Sequence, residues 1–527
     1  MKLDPGGNSG VCFRSGFELV AAGPDPGLRL PPGYEADVND TPKQAAKTGT
    51  LWQIGPGAGP VVLVREPPAP AGEWMTLDVI AVGGRITVQV NGKTTADWTD
   101  GGAGRRSGHI ALQVNWPETT VVRFRKIEIK ELPAGPPPAA AGPFVLVGPA
   151  GRAGTAFATL AEAVAAAPAG GAVEVRGNGP FVTAGVVAER AVTIRAGAGF
   201  RPVLEHDPND QLNGALLVGA NGLTLEGLEL RSIGAPPGMR RILVNVAAGP
   251  FAAANCRFVT AGALTRTVGA PRVDLRNCEF LSAWAQAGAV NWSDPPSKGT
   301  LRMTNCVSPS WALFLHPSQT ELADVRVEFR DNTFVGAYLM SYYSGGELLG
   351  DGKRPPPFRI TASDNVLQVP SLFRVEINPS RAAATDWPLD RVDRLARAAL
   401  DWKGDRNVYL PTTGYELWHG NEAGKMGRVV KPRAAWKAGW GAGDAGGVEA
   451  EVRFRSPLRQ KAADGPHLLT PEDFRLADDS PGRKAGPGGK DLGADIDLVG
   501  PGDAYERWKK TPEYREWTEA GSGGQKQ

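Results

Sequence analysis

A recurring asparagine, followed by a small residue and then apolar ones, constrains this chain more than any other feature. It appears in Asn255-Cys-Arg-Phe258, Asn277-Cys-Glu-Phe280, Asn305-Cys-Val307, Asn332-Thr-Phe334, Asn365-Val-Leu367 and Asn407-Val-Tyr409, each after a short strand-like run. The asparagines stand 22, 28, 27, 33 and 42 residues apart. A self-similar unit of that length marks a solenoid, in which each unit buries its apolar face against the next. The shorter spacings suit one coil of a parallel β-helix, and the longer ones imply inserted loops. Val192-Thr-Ile194 and Leu223-Thr-Leu-Glu-Gly-Leu-Glu-Leu230 fit as earlier rungs. Asparagine suits a tight bend because it tolerates the left-handed conformation. Stacked on the coil above, its amide can hydrogen-bond to neighbouring backbone and form a ladder. The Cys or Thr behind it is small enough to stack inward. These asparagines and cysteines are therefore read as structural, not as metal ligands.

The chain is too long, at 527 residues, for one ordinary core. Lys plus Arg (58) nearly balances Asp plus Glu (56), for a net charge of +2. That balance argues against a nucleic-acid surface, which needs clustered positive charge. Gly (68) and Pro (45) are abundant without a Gly-X-Y period, which fits all-β architecture with many turns. The four cysteines, Cys12, Cys256, Cys278 and Cys306, form no CxxC pair. No apolar run is long enough to span a membrane. No charged and then apolar leader follows Met1.

Residues 1–133 read differently. Leu77-Asp-Val-Ile-Ala-Val82 and Arg85-Ile-Thr-Val-Gln-Val90 alternate around Gly83-Gly84, and Asn91-Gly92 is a strong hairpin signal. His109-Ile-Ala-Leu-Gln-Val114 and Thr120-Val-Val-Arg-Phe-Arg-Lys-Ile-Glu-Ile129 complete the run. Alternation places one face of each strand on a core and the other on solvent. Antiparallel strands with short turns predict a sandwich or jelly roll.

GGNSGVCFRS (6–15), GYEADVND (33–40), TGTLW (48–52), GEWMTLDVIAVGGRITVQVNGK (72–93) and GHIALQV with VVRFRKIEIKEL (108–132) resemble the 3-keto-disaccharide hydrolase domain family. The resemblance covers nearly all of residues 4–132 and implies a concanavalin-like jelly roll. The family domain begins several strands earlier, so this sequence is expected to start inside the fold, and the complete protein to be extracytoplasmic. Asp37 stands where the family usually has Gln, and Met75 where it has Asn. The activity implied is cleavage of a glycosidic bond in a sugar oxidised at carbon 3. A ketone there acidifies the proton on carbon 2. A carboxylate can remove it and expel the group on carbon 1, after which water adds. This differs from the two-carboxylate oxocarbenium route.

The matching motifs supply the candidates. Glu35 and Asp37, two apart on one strand, share a face. Glu35 is read as the base or as a metal-holding carboxylate. Arg14 would stabilise developing negative charge. His109 and Gln113, four apart, again face one way, with His109 as proton shuttle or ligand. Asn8, Asp37, Trp52 and Gln113 are read as substrate contacts, Trp52 by stacking on a sugar face. The alternative for such same-face polar residues is the solvated side of a strand. No cofactor is assigned; a divalent metal with unassigned ligands is the open alternative for holding the enolate oxygen.

Residues 134–143 are a Pro/Ala linker. Residues 144–500 then read as the right-handed parallel β-helix. A helix over Thr155–Ala167 running into strand Ala172–Arg176 resembles the entry of pectate-lyase-like β-helices, and would cap the open end of the coil. Asp274, Glu279 and Asp294 fall on neighbouring rungs without a paired acidic motif. Trp284, Trp292 and Trp311 fit either a sugar groove or the core. Pro388–Trp402 reads as an amphipathic helix on a loop. Residues 501–527 comprise a short docked helix and a disordered tail. The fold class expected is all-β: a partial antiparallel jelly-roll sandwich followed by the β-helix with its short capping helix. The expected partner is an oligosaccharide or glycoside substrate. Three functions stay open: a hydrolase or eliminase of 3-keto-glycosides, a non-catalytic carbohydrate-binding or surface protein, and a β-helix polysaccharide lyase with an accessory lectin domain.

Overall fold

The computed structural model describes residues 1–16, 20–21, 29–42, 44–55, 59–82, 85–99, 107–115, 119–130, 142–148, 153–208, 215–232, 242–260, 265–282, 288–316, 324–345, 357–378, 389–420, 426–440 and 444–522. The chain divides into two compact units, Met1–Pro137 with Asn178–Pro180 and Pro138–Gly177 with Phe181–Gln527. Most of the Pro/Ala linker, Trp284 and residues 523–527 lie outside the described residues.

In the first unit, His109–Val114, Asn8–Ser15, Gly33–Asn39, Leu51–Ile54 and Pro60–Val62 lie in that order in one antiparallel sheet. Lys93–Thr99, Arg85–Val90 and Leu77–Val82 form a second. Asn91 and Gly92 turn the hairpin with φ of 50° and 74°, both positive as a two-residue turn requires. Every second residue points inward. Phe13, Tyr34, Ala36 and Leu51 of the larger sheet thus share one core with Ile86, Val88 and Ala96 of the smaller. Burying a large side chain there is worth roughly 1.5–3 kcal/mol. Among the described residues these sheets do not close into a barrel.

Two expectations fail here. Of the strand read over Thr120–Ile129, only Val122–Arg123 pairs, with Lys2–Leu3. Beyond it Ile127 and Ile129 are 61% and 75% exposed, so the alternation meets no core. Ile110, Leu112 and Val114, the apolar set of His109–Val114, are exposed as well. That strand ends its sheet, and alternation alone does not put a core beneath an edge.

Among the described residues the second unit has three long sheets of 12, 10 and 10 strands. Gly171–Val175, Val192–Ala196, Leu223–Glu226 and Phe251–Ala254 belong to the first, Glu229–Ser232 and Arg257–Thr260 to the second, and Ile242–Val246 and Thr265–Val268 to the third. Successive strands visit the sheets in turn and pair in parallel with the strand three along, a connectivity compatible with a β-helix. Register is unbroken along the first sheet from Gly171–Val175 to Phe358–Ser363. Val173, Ile194, Leu225, Ala253, Leu275, Met303, Phe329 and Ala362 form one buried column. A one-residue slip would turn that column to solvent.

The asparagines form two ladders. Asn305 donates to Asn277 (2.7 Å) and Asn277 to Asn255 (3.2 Å). Asn332 donates to Asn365 (2.9 Å) and Asn365 to Asn407 (2.8 Å). The left-handed residue is not the same in both. Asn255, Asn277 and Asn305 adopt it themselves, whereas Asp331, Asp364 and Arg406, each one residue earlier, adopt it in the second set. The expectation that the asparagine always supplies the bend is thus corrected for the last three. Cys256, Cys278 and Cys306 are buried and free.

Helices join the core of the second unit. The first helix is Leu160–Ala166, shorter than expected, because Ala153–Phe157 is a strand and Thr159 with Glu162 forms a capping box. Further along the chain, helix Leu389–Ala399 stops before strand Leu400–Asp405, so the helix read to Trp402 is also shorter. Rather than decorating a loop, its Val392 and Ala396 join Trp436 and Trp440 of helix Arg433–Trp440 in the core of the second unit. The chain then runs back along the second sheet. Leu458, Leu469, Phe474, Ile496 and Val499 cover Val259, Leu281, Val307 and Val335. The Arg257 guanidinium, paired with Glu279, donates to the carbonyls of His467 and Leu469. Tyr505 and Trp517 of the last two helices donate to Glu226. No helix among the described residues is long and apolar enough to cross a membrane.

Candidate functional site

The outward face of the five-stranded sheet carries the ionisable chemistry of the first unit. Tyr34, Ala36 and Val38 point to the core, so Glu35, Asp37 and Asn39 emerge on the other side. They are only 7%, 4% and 1% exposed. On the neighbouring strand Asn8, Gly10 and Cys12 stand opposite Asn39, Asp37 and Glu35. Trp52 stands opposite Glu35 on the other side, and Gln113 opposite Gly10. Register therefore gathers Asn8, Glu35, Asp37, Trp52 and Gln113 on one face.

Gly10 leaves the space that the Glu35 carboxylate occupies. A Cβ there would sit 2.1 Å from Glu35 Oε1, so the carboxylate lies across the bare backbone. Trp52 Nε1 donates to Asp37 Oδ2 at 3.1 Å. The indole thus orients a carboxylate, a task beyond the stacking expected of it. Asn8 and Asn39 both donate to Gln44 Oε1, and Asn39 Oδ1 accepts from the Thr41 amide and hydroxyl. Lys47 Nζ donates to the Thr41 carbonyl at 2.6 Å. Gln113 Oε1 is buried without a donor among the described residues, leaving an acceptor at the rim.

Burial pushes the Glu35 carboxyl up to about 8, and the Asp37 charge adds to the rise. Burial also pushes Asp37 up to about 7, against the pull of Trp52, Asn39, the Val38 amide and Lys47. The Cys12 thiol is pushed up to about 12 by burial and by Glu35, which keeps it protonated and poorly nucleophilic. Both carboxyls are thus held well above the ordinary carboxylate range, with Asp37 the more readily ionised of the two. That is the arrangement a base and an acid require.

His109 and Arg14 fall outside the regular pairing that gathers this set. The pairing of their strands shifts register between His109 and Ala111, so His109 lies opposite Ser15 and is out of phase with Gln113. The shared face expected for His109 and Gln113 is broken by that bulge, and His109 is exposed. Arg14 is left-handed at φ 52°. Gly108 packs on it so closely that a Cβ would fall 2.4 Å from the Arg14 carbonyl carbon. Met75 lies in the core with Leu3, Val38, Ala69 and Val90, away from the carboxylates. Sequence reasoning passed over Cys12, Asn39, Gln44 and Lys47. Alternation along Asn8–Cys12 and Glu35–Asn39 carries the signal for the first two; Gln44 and Lys47 arrive by a loop with no periodicity to read.

Among the described residues no three His, Cys, Asp or Glu side chains are placed to hold a metal ion. Glu35 and Asp37 offer two carboxylates without a third ligand, so the residues present do not make a metal set. In the second unit Trp292 is fully buried and donates to the Ala270 carbonyl, which assigns it to the core. Asp274 is held by Arg272 and Arg276, and Glu279 by Arg257.

Residues 1–130 match the family described as the 3-keto-alpha-glucoside-1,2-lyase-like domain. No curated protein and no solved structure matches the chain.

Proposed function

We propose that the first unit eliminates the substituent at carbon 1 from glycosides carrying a ketone at carbon 3. The observation that carries this reading is the buried Glu35 and Asp37 pair, both raised toward neutral pH, in the segment that matches a lyase-like domain family. Asp37, the lower of the two and oriented by Trp52, removes the proton from carbon 2. The electron pair of that C–H bond passes into the carbonyl and then forms the C1=C2 double bond as the C1–O bond breaks. Glu35, protonated at pH 7, gives its proton to the departing oxygen. The base role expected of Glu35 thereby passes to Asp37. Gln113 takes a substrate hydroxyl on its unfilled acceptor. Arg14 stabilises the enolate oxygen, and His109 serves at the rim of the site. Addition of water across C1=C2 completes a net hydrolysis.

In this reading residues 1–133 form a concanavalin-like jelly roll, and 134–143 a linker. Residues 144–500 form a right-handed, pectate-lyase-like β-helix that holds glycan or serves as scaffold, and 501–527 form its helical tail. The test is incubation with a nitrophenyl 3-keto-glucoside, following nitrophenol and enone absorbance. Release is expected, with Asp37→Asn lowering it by about 10²–10⁴-fold, the usual weight of a general base. Absence of release from the intact chain, or an undiminished rate in Asp37→Asn, refutes the proposal.

A further inference from the structure

The outward faces of the three solenoid sheets differ. The first carries solvated ion pairs such as Arg302 with Glu328 and Arg326 with Asp324. The second is covered by the returning chain. The third carries aromatic rings interleaved with paired charges on four successive strands, Trp311–His316, Tyr338–Gly345, Ser371–Asn378 and Gly414–Gly420. Phe314, Ser341, Arg374 and Glu416 lie in one cross-strand row, and Tyr343, Glu376 and Trp418 in the next. Tyr343 and Trp418 are thus two strands apart, about 10 Å at ordinary sheet spacing.

Arg374 is the hub. Its guanidinium lies 4.4 Å from the Trp418 ring centre and 5.6 Å from that of Trp311, and pairs with Glu376 at 3.0 Å. Glu416, buried, accepts from Trp418 and from Arg428 at 2.6 and 3.0 Å. Two donors in this cluster are unfilled. Trp311 is 2% exposed, and neither its indole N–H nor the Arg374 Nε–H has an acceptor among the described residues. Packing alone does not account for them, since a buried donor without an acceptor is costly and rare. Two donors call for an oxygen-rich ligand, and half-buried rings call for one with apolar C–H faces. The two arginines are matched by two glutamates, so nothing here favours an anion over a neutral molecule.

We propose that this face of the third sheet is a binding site for a neutral oligosaccharide. Sugar oxygens accept from Trp311 and Arg374, a sugar hydroxyl donates to Glu376, and pyranose faces lie against Trp418 and Tyr343. The site deepens the glycan-holding role proposed for the second unit and is independent of the chemistry at Glu35 and Asp37.

Calorimetric titration of the full chain with cellohexaose, maltohexaose, laminarihexaose, mannohexaose, xylohexaose and hexagalacturonate tests it. At least one neutral hexasaccharide is expected to bind saturably. Trp418→Ala should weaken it at least about tenfold, and Trp418→Tyr, which keeps a ring and guards against loss of fold, should fall between. Asp37→Asn should bind as the parent does, which separates this site from the first unit and its failure from failure of the lyase reading. Binding by none of the neutral sugars, binding only of hexagalacturonate, or affinity unchanged in Trp418→Ala overturns the proposal.

Discussion

Replacing Glu35 by Gln should stabilise the first unit at alkaline pH while destroying its acid. A carboxyl held at about 8 in the folded chain, against an ordinary value of 4.5, binds its proton more tightly folded than unfolded. Between those values the folded state carries more protons than the unfolded state, so stability falls as pH rises. The contribution is fully present below about 4.5 and lost as pH passes through about 8. Taken alone, a rise of that size corresponds to about 5 kcal/mol, as an upper order of magnitude. For a unit of this size each kcal/mol moves the midpoint by roughly 3–5 °C. The parent's first transition should therefore fall by about 10 °C or more between pH 5 and pH 8. Glu35→Gln keeps the shape of the side chain and removes the charge. Asp37 ionises over part of the same range, so the variant should lose most of that slope while retaining some. Differential scanning calorimetry resolves it, with the first unit's transition identified by its displacement in the variant. A parent transition that is flat or rises over this range, or a variant with the parent's full slope, would show that Glu35 is not a buried acid.

Gly10→Ala should abolish elimination without unfolding the unit. Its Cβ would meet Glu35 Oε1 at 2.1 Å, and a flexible carboxylate can give way where backbone cannot; loss of nitrophenol release with an unchanged circular dichroism spectrum is the expected result. Asn365→Ala removes a side chain that donates to Phe329 and Asn407 and accepts from Asn332, all of them buried. About 3 kcal/mol of solenoid stability should go with it, read as a lower urea midpoint, because the stranded partners keep their desolvation cost.

The parallel sheets of the second unit were legible because their signal recurs along the chain. Six asparagine motifs at coil spacing state one rung many times, and inward columns such as Leu225, Ala253, Leu275 and Met303 follow from a period of two. What the sequence concealed were places where a neighbour overrides the period. The left-handed bend moves from Asn305 to Asp331 without changing the motif, since either residue can occupy that conformation. Thr155–Phe157 has helical spacing, yet pairing with Phe144–Val147 makes it a strand. His109 and Gln113 are in phase on paper, and a bulge pinned by Gly108 separates them. The same limit applies to the first unit's last segment, where alternation through Ile127 and Ile129 advertises a core that the described residues do not provide.

The acid and base assignment shows why the site was less legible than the fold. Position 37 reads as a departure, Asp where the resembled family has Gln, and a departure at a site invites the inference of lost function. The electrostatics point elsewhere. The Asp37 charge is itself one of the two causes that raise Glu35, and Asp37 stays lower because Trp52, Asn39 and Lys47 favour its ionised form. With an amide at position 37 that charge would be gone, and Glu35 would ionise more readily and be better suited to accept a proton. With a carboxylate there, the Asp37 charge favours the protonated form of Glu35, the form that the proposed donor role needs. Spacing along a strand can say that two carboxyls share a face. Which of them holds the proton depends on burial and on partners from two other segments, those of Trp52 and Lys47, and these become visible only in the folded chain.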